Sequence, residues 1–339
     1  MEERTTAQRR LWELQSMQAA PLSVKIALTK DRIREWVNEY GEDGVYVSFS
    51  GGKDSTVLLT IAREMYPDIK AVFVDTGLEY PEIREFVRTW DNVEWIRPKM
   101  SFKEVIEKYG YPFISKEISQ KIYEARKYGR QYAYDRFDPN SEYNKKYNGR
   151  YSCTRYAFLL SEDAPMVSHV CCKIMKKNPA HEYEKQTHRK PILATMADES
   201  TMRRSEWIKN GCNAFNAKRP SSKPMSFWTE QDVLRFLRGG QIPIASVYGN
   251  IISVDEDGMA YDSEFLDVPL KTTGLKRTGC MFCGFGVHMR KPGEGNFEIM
   301  KVTHSKQYEW IMKPWKDGGL GYKEVIDWLN EHGNLKIRY

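Results

Sequence analysis

The chain has 339 residues, 41% hydrophobic and 29% charged, with a formal net charge of +6 and a mean hydropathy of −0.63. That length supports one large or two modest domains with a real core, and no apolar run reaches the roughly 18–20 residues that cross a bilayer. Six cysteines are too few for a disulfide scaffold at this length and point to metal binding or catalysis in a reducing compartment. The segment Met1-Glu2-Glu3-Arg4-Thr5-Thr6 lacks the charged-then-apolar pattern of a signal peptide, so a cytoplasmic location is the default expectation.

In chain order, Thr5 to Tyr40 reads as two helices broken near Pro21, the second carrying Val24, Ile26, Leu28, Ile33, Trp36 and Val37 at helical spacing. A β-α-β-α-β alternation follows: Val45–Phe49, a helix, Ile69–Val74, a helix over Pro81–Trp90, and Val93–Ile96. Short apolar strands alternating with helices predict a parallel sheet with right-handed crossovers, whose ligands bind at the carboxyl ends of the strands. From Ser101 to Met166 the pattern is helical and then irregular, with a Tyr/Lys/Arg-rich surface insertion over about 121–156. Pro191–Thr195 reads as another core strand, Thr229 caps a helix over Glu230–Leu237, and beyond Gly240 a loop-rich region closes on Tyr322–Asn330. These readings divide the chain into N-terminal helices (1–40), an α/β domain (41–240) and a C-terminal region (241–339) packed on the same core.

Ser50-Gly51-Gly52-Lys53-Asp54-Ser55 stands between the first strand and its helix. Paired glycines let backbone N–H groups approach an anion, the helix N-terminus adds partial positive charge, and Lys53 supplies a point charge. The order is neither the P-loop nor the dinucleotide fingerprint. The second signal is sulfur. Cys171-Cys172 are adjacent, and Cys280-Met281-Phe282-Cys283 is a C-x-x-C far downstream. Together they offer four thiolates, which tetrahedral zinc or a [4Fe–4S] cluster would accept, though neighbouring cysteines rarely reach one zinc ion without strain.

The loop resembles the S-G-G-x-D-S PP-loop of the ATP pyrophosphatase and PAPS (phosphoadenosine phosphosulfate) reductase superfamily. Cys171 through Pro179 resembles the C-C-x-x-x-K-x-x-P segment of assimilatory adenylyl-sulfate reductases. Asp75-Thr76-Gly77-Leu78-Glu79-Tyr80-Pro81-Glu82 and Glu199-Ser200-Thr201-Met202-Arg203 resemble two further nucleotide-side blocks, so the likeness runs from Val45 to Gly286 in scattered pieces. It implies an adenine nucleotide alpha-hydrolase-like (HUP-type) α/β fold, with a parallel sheet sandwiched by helices and a C-terminal metal-binding region. It also implies that Ser50, Gly51, Gly52, Lys53, Asp54, Ser55, Asp75, Thr76, Gly77 and Arg203 bind the nucleotide. Cys171, Cys172, Cys280 and Cys283 would ligate a [4Fe–4S] cluster, with zinc as the alternative.

Two departures bear on the reaction. The reductases use a nucleophilic cysteine in a C-terminal E-C-G-x-H context, whereas no cysteine follows Cys283 here, and the loop keeps the S-G-G-K-D-S form of members that cleave ATP. The expectation is therefore an enzyme that binds ATP with Mg²⁺, cleaves it between the α- and β-phosphates to adenylate an acceptor, and transfers sulfur with help from the cluster. Lys53, Asp54, Arg203 and Cys212 are its catalytic candidates, and a sulfur donor or thiol reductant protein is an expected partner. The alternative is a reductase of adenylyl sulfate or PAPS that draws its thiol from Cys212, Cys153 or a partner. A third reading is a non-catalytic nucleotide- and cluster-dependent module that binds nucleic acid. Cys153 adjoins basic residues that would lower a thiol pKa. Residues 121–156 carry nine Lys/Arg, four Asp/Glu and eight tyrosines, a mixture suited to single-stranded or looped nucleic acid as acceptor. The bland counterpart is an insertion that packs its tyrosines on the domain.

Overall fold

The computed structural model describes residues 5–255, 257–261 and 268–339; the first four residues of the N-terminal segment lie outside them. The chain forms two compact units that cut across its linear order. The first comprises Met1–Asp75, Glu79–Arg97 and Ala180–Thr278, and the second Thr76–Leu78, Pro98–Pro179 and Gly279–Tyr339.

The first unit is built on a six-stranded sheet. Its order is Val93–Ile96, Ala71–Val74, Val45–Ser48, Lys190–Ile192, Ser221–Ser222 and Asn213–Ala214. All neighbours pair in parallel except the last two strands, which are antiparallel. Val47 faces Ala71 on one side and Ile192 on the other. Val45, Tyr46 and Val47 are all buried, as expected of a central parallel strand covered on both faces. The fold is thus α/β with a mainly parallel sheet, and the expected elements stand with shortened ends. The strand anticipated over Ile69–Val74 begins at Ala71, and the helix anticipated over Pro81–Trp90 ends at Arg88.

Two N-terminal helices, Thr6–Ala19 and Leu22–Tyr40, are separated at Pro21, which has no N–H to give a helix interior. The second packs on the loop helix Lys53–Met65, as does Glu230–Gly239. Thr229 caps the latter in a capping box with Asp232. Asp232 also forms a buried ion pair with Lys25 at 2.6 Å, and Trp228 donates to Thr29 Oγ1 at 2.9 Å. These bonds fix the start of the Glu230 helix against the N-terminal one. A small antiparallel sheet of Leu270–Thr272, Ile251–Val254 and Ala260–Tyr261 completes the unit.

The second unit is helical around an aromatic core. Phe113, Phe297 and Tyr322 meet with centroid distances of 5.2 and 5.7 Å to the tyrosine. Phe113–Ile114 pairs in parallel with Gly284–Phe285, and Gly284 is required there because a Cβ would lie 2.5 Å from the Phe113 ring. The stretch 121–156 is only partly an insertion. Its beginning belongs to the helix Lys116–Tyr128, and Ile122, Tyr123, Ala125, Ala133 and Phe137 are buried.

Candidate functional site

The loop Ser50–Ser55 leaves the carboxyl end of the central strand and enters the helix Lys53–Met65. Gly51 sits at φ +70°, and a Cβ on it would stand 2.7 Å from Val87 and 2.9 Å from Ile83, so only glycine fits. Gly52 is the N-cap and offers no side chain to the first turn, whose N–H groups lack intrahelical partners. The loop holds its own shape. Ser50 N donates to Ser55 Oγ at 3.2 Å, the two hydroxyls lie 3.0 Å apart, and Ser55 Oγ donates to Gly52 O at 2.9 Å. The result is a rigid helix N-terminus open to an anion.

This terminus lines a cavity of about 280 Å³. Leu193–Met196, after the neighbouring strand, forms one wall, and Glu199, Arg203, Glu230, Tyr248 and Lys276–Thr278 complete it. Two carboxylates hold four cations. Glu199 pairs with Arg203 and, at 3.2 Å, with Arg277. Glu230 pairs with Lys53 at 3.5 Å and Lys276 at 3.1 Å. Tyr248 Oη and Thr278 Oγ1 lie 2.6 Å apart, and the Lys53 ammonium stands 5.3 Å from the Tyr248 ring centre.

The Lys53 side chain is only 5% exposed, and the Glu230 carboxylate, at 3.5 Å, is the acceptor nearest its buried Nζ. Burial pushes its pKa down, against the opposing pull of Glu230 and Asp54. Burial pushes the Asp54 carboxyl up, against Lys53 and Arg277, and it lowers Arg203, with Arg277 adding to the effect. An ammonium held dry, charged and short of acceptors is poised for an anion that brings its own oxygens.

In the second unit Cys171, Cys172, Cys280 and Cys283 are within electrostatic reach of one another. The hydrogen bond between Cys171 and Cys172 raises the first thiol, with burial and the charges of Cys283 and Cys280 adding to the rise. The same bond brings Cys172 down to about 6, helped by Lys116, Lys176 and Lys177. Burial pushes Cys283 up to about 11. The tandem pair opens into a π-helical turn, Lys173–Lys177, a distortion that recurs at functional positions. Among the described residues no three His, Cys, Asp or Glu side chains are arranged to hold a metal ion.

Residues 44–148 match the family model of the phosphoadenosine phosphosulfate reductase domain. Over that stretch the chain is similar to this domain. Two uncharacterized proteins of Methanocaldococcus jannaschii are 37% and 40% identical to it, each over 73 residues that make up 20% of this chain. The match spans only 18% and 15% of their lengths. A PAPS reductase from Candida auris, solved as a phosphate complex, is similar at a TM-score of 0.37 and 12% identity, over 64% of this chain and 82% of the other.

Of the family-type residues expected at the nucleotide, Ser50, Gly52, Lys53, Asp54, Ser55 and Arg203 line the cavity, and Gly51 shapes the loop. Asp75 is not among the lining residues. Its buried carboxylate accepts from Arg84 at 3.0 Å and Arg97 at 3.1 Å, which makes it a tie between sheet and helix. Thr76 Oγ1 accepts from Leu78 N, and Gly77 turns the chain at φ +72°. Cys212, expected among the catalytic groups for its closeness to Arg203 in sequence, does not line the cavity. Arg203 lies in the first turn of the helix Thr201–Asn210 and Cys212 beyond its end, with about 10 Å of helix rise between, and Cys212 is buried where Trp207 Nε1 donates to its sulfur at 3.3 Å. Burial raises its thiol. Cys153 departs from expectation too: it is buried, and desolvation outweighs Arg136 and raises its pKa. His288 faces Tyr156 Oη at 3.2 Å.

Sequence reasoning missed Glu230, Tyr248 and the run Lys276-Arg277-Thr278. Only Glu230 carried a signal, since the Thr229 cap sets it at the first position of a helix. The basic pair Lys276-Arg277 reads as ordinary surface until folding brings it to the loop.

Proposed function

We propose that this cavity binds the phosphates of ATP with Mg²⁺, and that the protein cleaves ATP between the α- and β-phosphates to adenylate an acceptor. The observation that supports this most is the buried Lys53 ammonium, held by a single long contact to Glu230 at an uncapped helix N-terminus. The acceptor's nucleophile would attack the α-phosphorus while the bridging P–O bond to the β-phosphate breaks. Pyrophosphate leaves with the bonding pair, and the acceptor's proton passes to solvent. The N–H groups of the first helical turn and Lys53 would hold the phosphates. Arg203 and Arg277 would stabilise charge developing on the leaving group, and Asp54 would help to hold Mg²⁺.

Sulfide would then displace AMP from the acceptor and leave a thiol in its place. A persulfide-bearing donor protein would displace AMP to give an acceptor–donor disulfide, which a second thiol of the donor would cleave, releasing the thiolated acceptor and leaving a disulfide on the donor. Cys171, Cys172, Cys280 and Cys283 would supply the four thiolates of a [4Fe–4S] cluster, with basic residues nearby to offset its charge, although they are not arranged around one ion among the described residues. When bound, that group would supply iron–sulfur chemistry for sulfur handling, and zinc in the same thiolates is the alternative. A sulfonucleotide, as used by PAPS reductases, would also meet the cavity's cations. That reading needs an attacking thiol, and Cys153 and Cys212 are both buried with raised pKa.

Pyrophosphate release from ATP with nucleic-acid and small-molecule acceptors tests the proposal, alongside thiol-dependent sulfite release from adenylyl sulfate and PAPS. Pyrophosphate with an adenylated product is the expected result. Sulfite without pyrophosphate would establish the reductase instead. Iron and sulfide analysis after anaerobic purification distinguishes the cluster from zinc.

A further inference from the structure

Residues 121–156 present an unusual surface within the second unit. Of the six tyrosines among the exposed large side chains of the described residues, five fall here: Tyr128, Tyr132, Tyr134, Tyr147 and Tyr151. A packing insertion would bury them. Rings step along the surface, Tyr143 to Tyr147 at 4.9 Å and Tyr147 to Tyr151 at 5.5 Å. Cations lie over them, Lys121 on Tyr132 at 4.7 Å and Arg130 on Tyr128 at 5.0 Å.

The nine cations divide by role. Arg126 and Arg136 bond backbone carbonyls, as at Ala164 and Tyr151, and build the fold. Lys121 and Arg130 pair with Glu124, and Lys145 with Glu142. Lys127, Lys146, Arg150 and Arg155 make no ion pair among the described residues, which leaves four charges without a carboxylate, three of them lying over the rings of Tyr147, Tyr151 and Tyr156. The irregular backbone beneath them is held firmly. Asn144 is buried and donates to the carbonyls of Asp135, Arg136 and Asp138, and Cys153 N donates to Arg136 O at 2.7 Å. Next to this surface, Tyr123 and Lys127 line a cavity of about 350 Å³ with Tyr111, Met166 and Trp315, walls that suit an unstacked base.

We infer that the tyrosine-and-cation surface of residues 121–156 binds single-stranded nucleic acid. Unpaired cations meet the phosphates, and the exposed rings offer faces for stacking once their covering cations turn to the backbone. A duplex keeps its bases stacked on each other and has no use for the rings. The inference goes beyond the nucleotide reading and does not depend on it, because every residue it uses lies outside the ATP cavity.

The test is fluorescence anisotropy of the full chain with labelled oligo(dT), oligo(U) and a duplex of equal length across a salt series. Single strands are expected to bind more tightly than the duplex. The four free cations give a log–log salt slope of about −3. Lys146→Gln with Arg150→Gln flattens that slope by roughly 1.4. Tyr147→Ser with Tyr151→Ser weakens binding roughly tenfold or more at unchanged slope, and the Phe pair retains it. Preference for oligo(dT) or oligo(U) tells DNA from RNA. Absence of binding at low salt, equal affinity for the duplex, or a slope indifferent to the loss of two cations would overturn the inference. The charge variants carry the test even if the Ser pair fails to fold.

Discussion

The cavity at Ser50–Ser55 and the tyrosine surface are both cationic, yet they hold their charge differently. In the cavity each of Lys53, Lys276, Arg203 and Arg277 has a carboxylate, supplied by Glu230 or Glu199. On the tyrosine surface five of nine cations have none among the described residues, and one of these five, Arg126, is held by backbone carbonyls instead. Charges fixed by partners keep their positions and can recognise one anion of defined shape. Unpaired, exposed charges follow a flexible polyanion and respond steeply to salt. The backbones differ in parallel: strand ends and helix termini carry the cavity, while side chains such as Asn144 tie down the irregular surface.

Several substitutions would break or sharpen this contrast. The largest effect is expected from Lys25→Met, which leaves Asp232 buried without its ion pair and should cost about 3–5 kcal/mol in denaturant unfolding. If that loss is absent, the Glu230 helix is not anchored as described. Gly51→Ala forces a Cβ onto Ile83 and Val87 at positive φ, and a cost of about 1–3 kcal/mol is expected. ATP affinity should fall with it, as calorimetry would read. Asn144→Ala strands buried carbonyls at about 1–3 kcal/mol. Hydrogen exchange should show that loss over residues 135–153 and leave the cavity segments protected.

The smallest effect is in pH dependence. ATP binding favours the Lys53 ammonium, so affinity should fall as pH rises through its lowered pKa, earlier than for an ordinary lysine. On the acid side the raised Asp54 pKa means that Mg²⁺-dependent affinity is lost sooner as pH falls. Both limbs of the binding profile are therefore drawn inward. Lys53→Gln should remove the alkaline limb and Asp54→Asn the acid one.

The parallel sheet was legible because its strands are short apolar runs bounded by Gly, Pro and Asp, and the loop because its six residues are contiguous. The rest of the site was hidden for a physical reason. Tyr248 and Lys276–Thr278 stand far downstream on chain with little regular structure, and only tertiary folding brings them to Lys53. Cys212 misled because nearness in sequence was taken for nearness in space, and the intervening helix carries it away from Arg203. Gly284–Phe285 is too short a strand to show any periodicity. Exposure of the tyrosines between 121 and 156 depends on which face of each turn meets the core, which composition does not encode.

The central claim is that Lys53 holds a phosphate of ATP, and isothermal titration of ATP and Mg²⁺ into the wild-type protein and Lys53→Gln tests it most directly. Wild-type protein should bind ATP and take up protons at alkaline pH, and the substitution should weaken binding by roughly ten- to a hundredfold, the worth of a charge-assisted bond. ATP binding of equal strength in both proteins, with no proton uptake in either, would contradict the account.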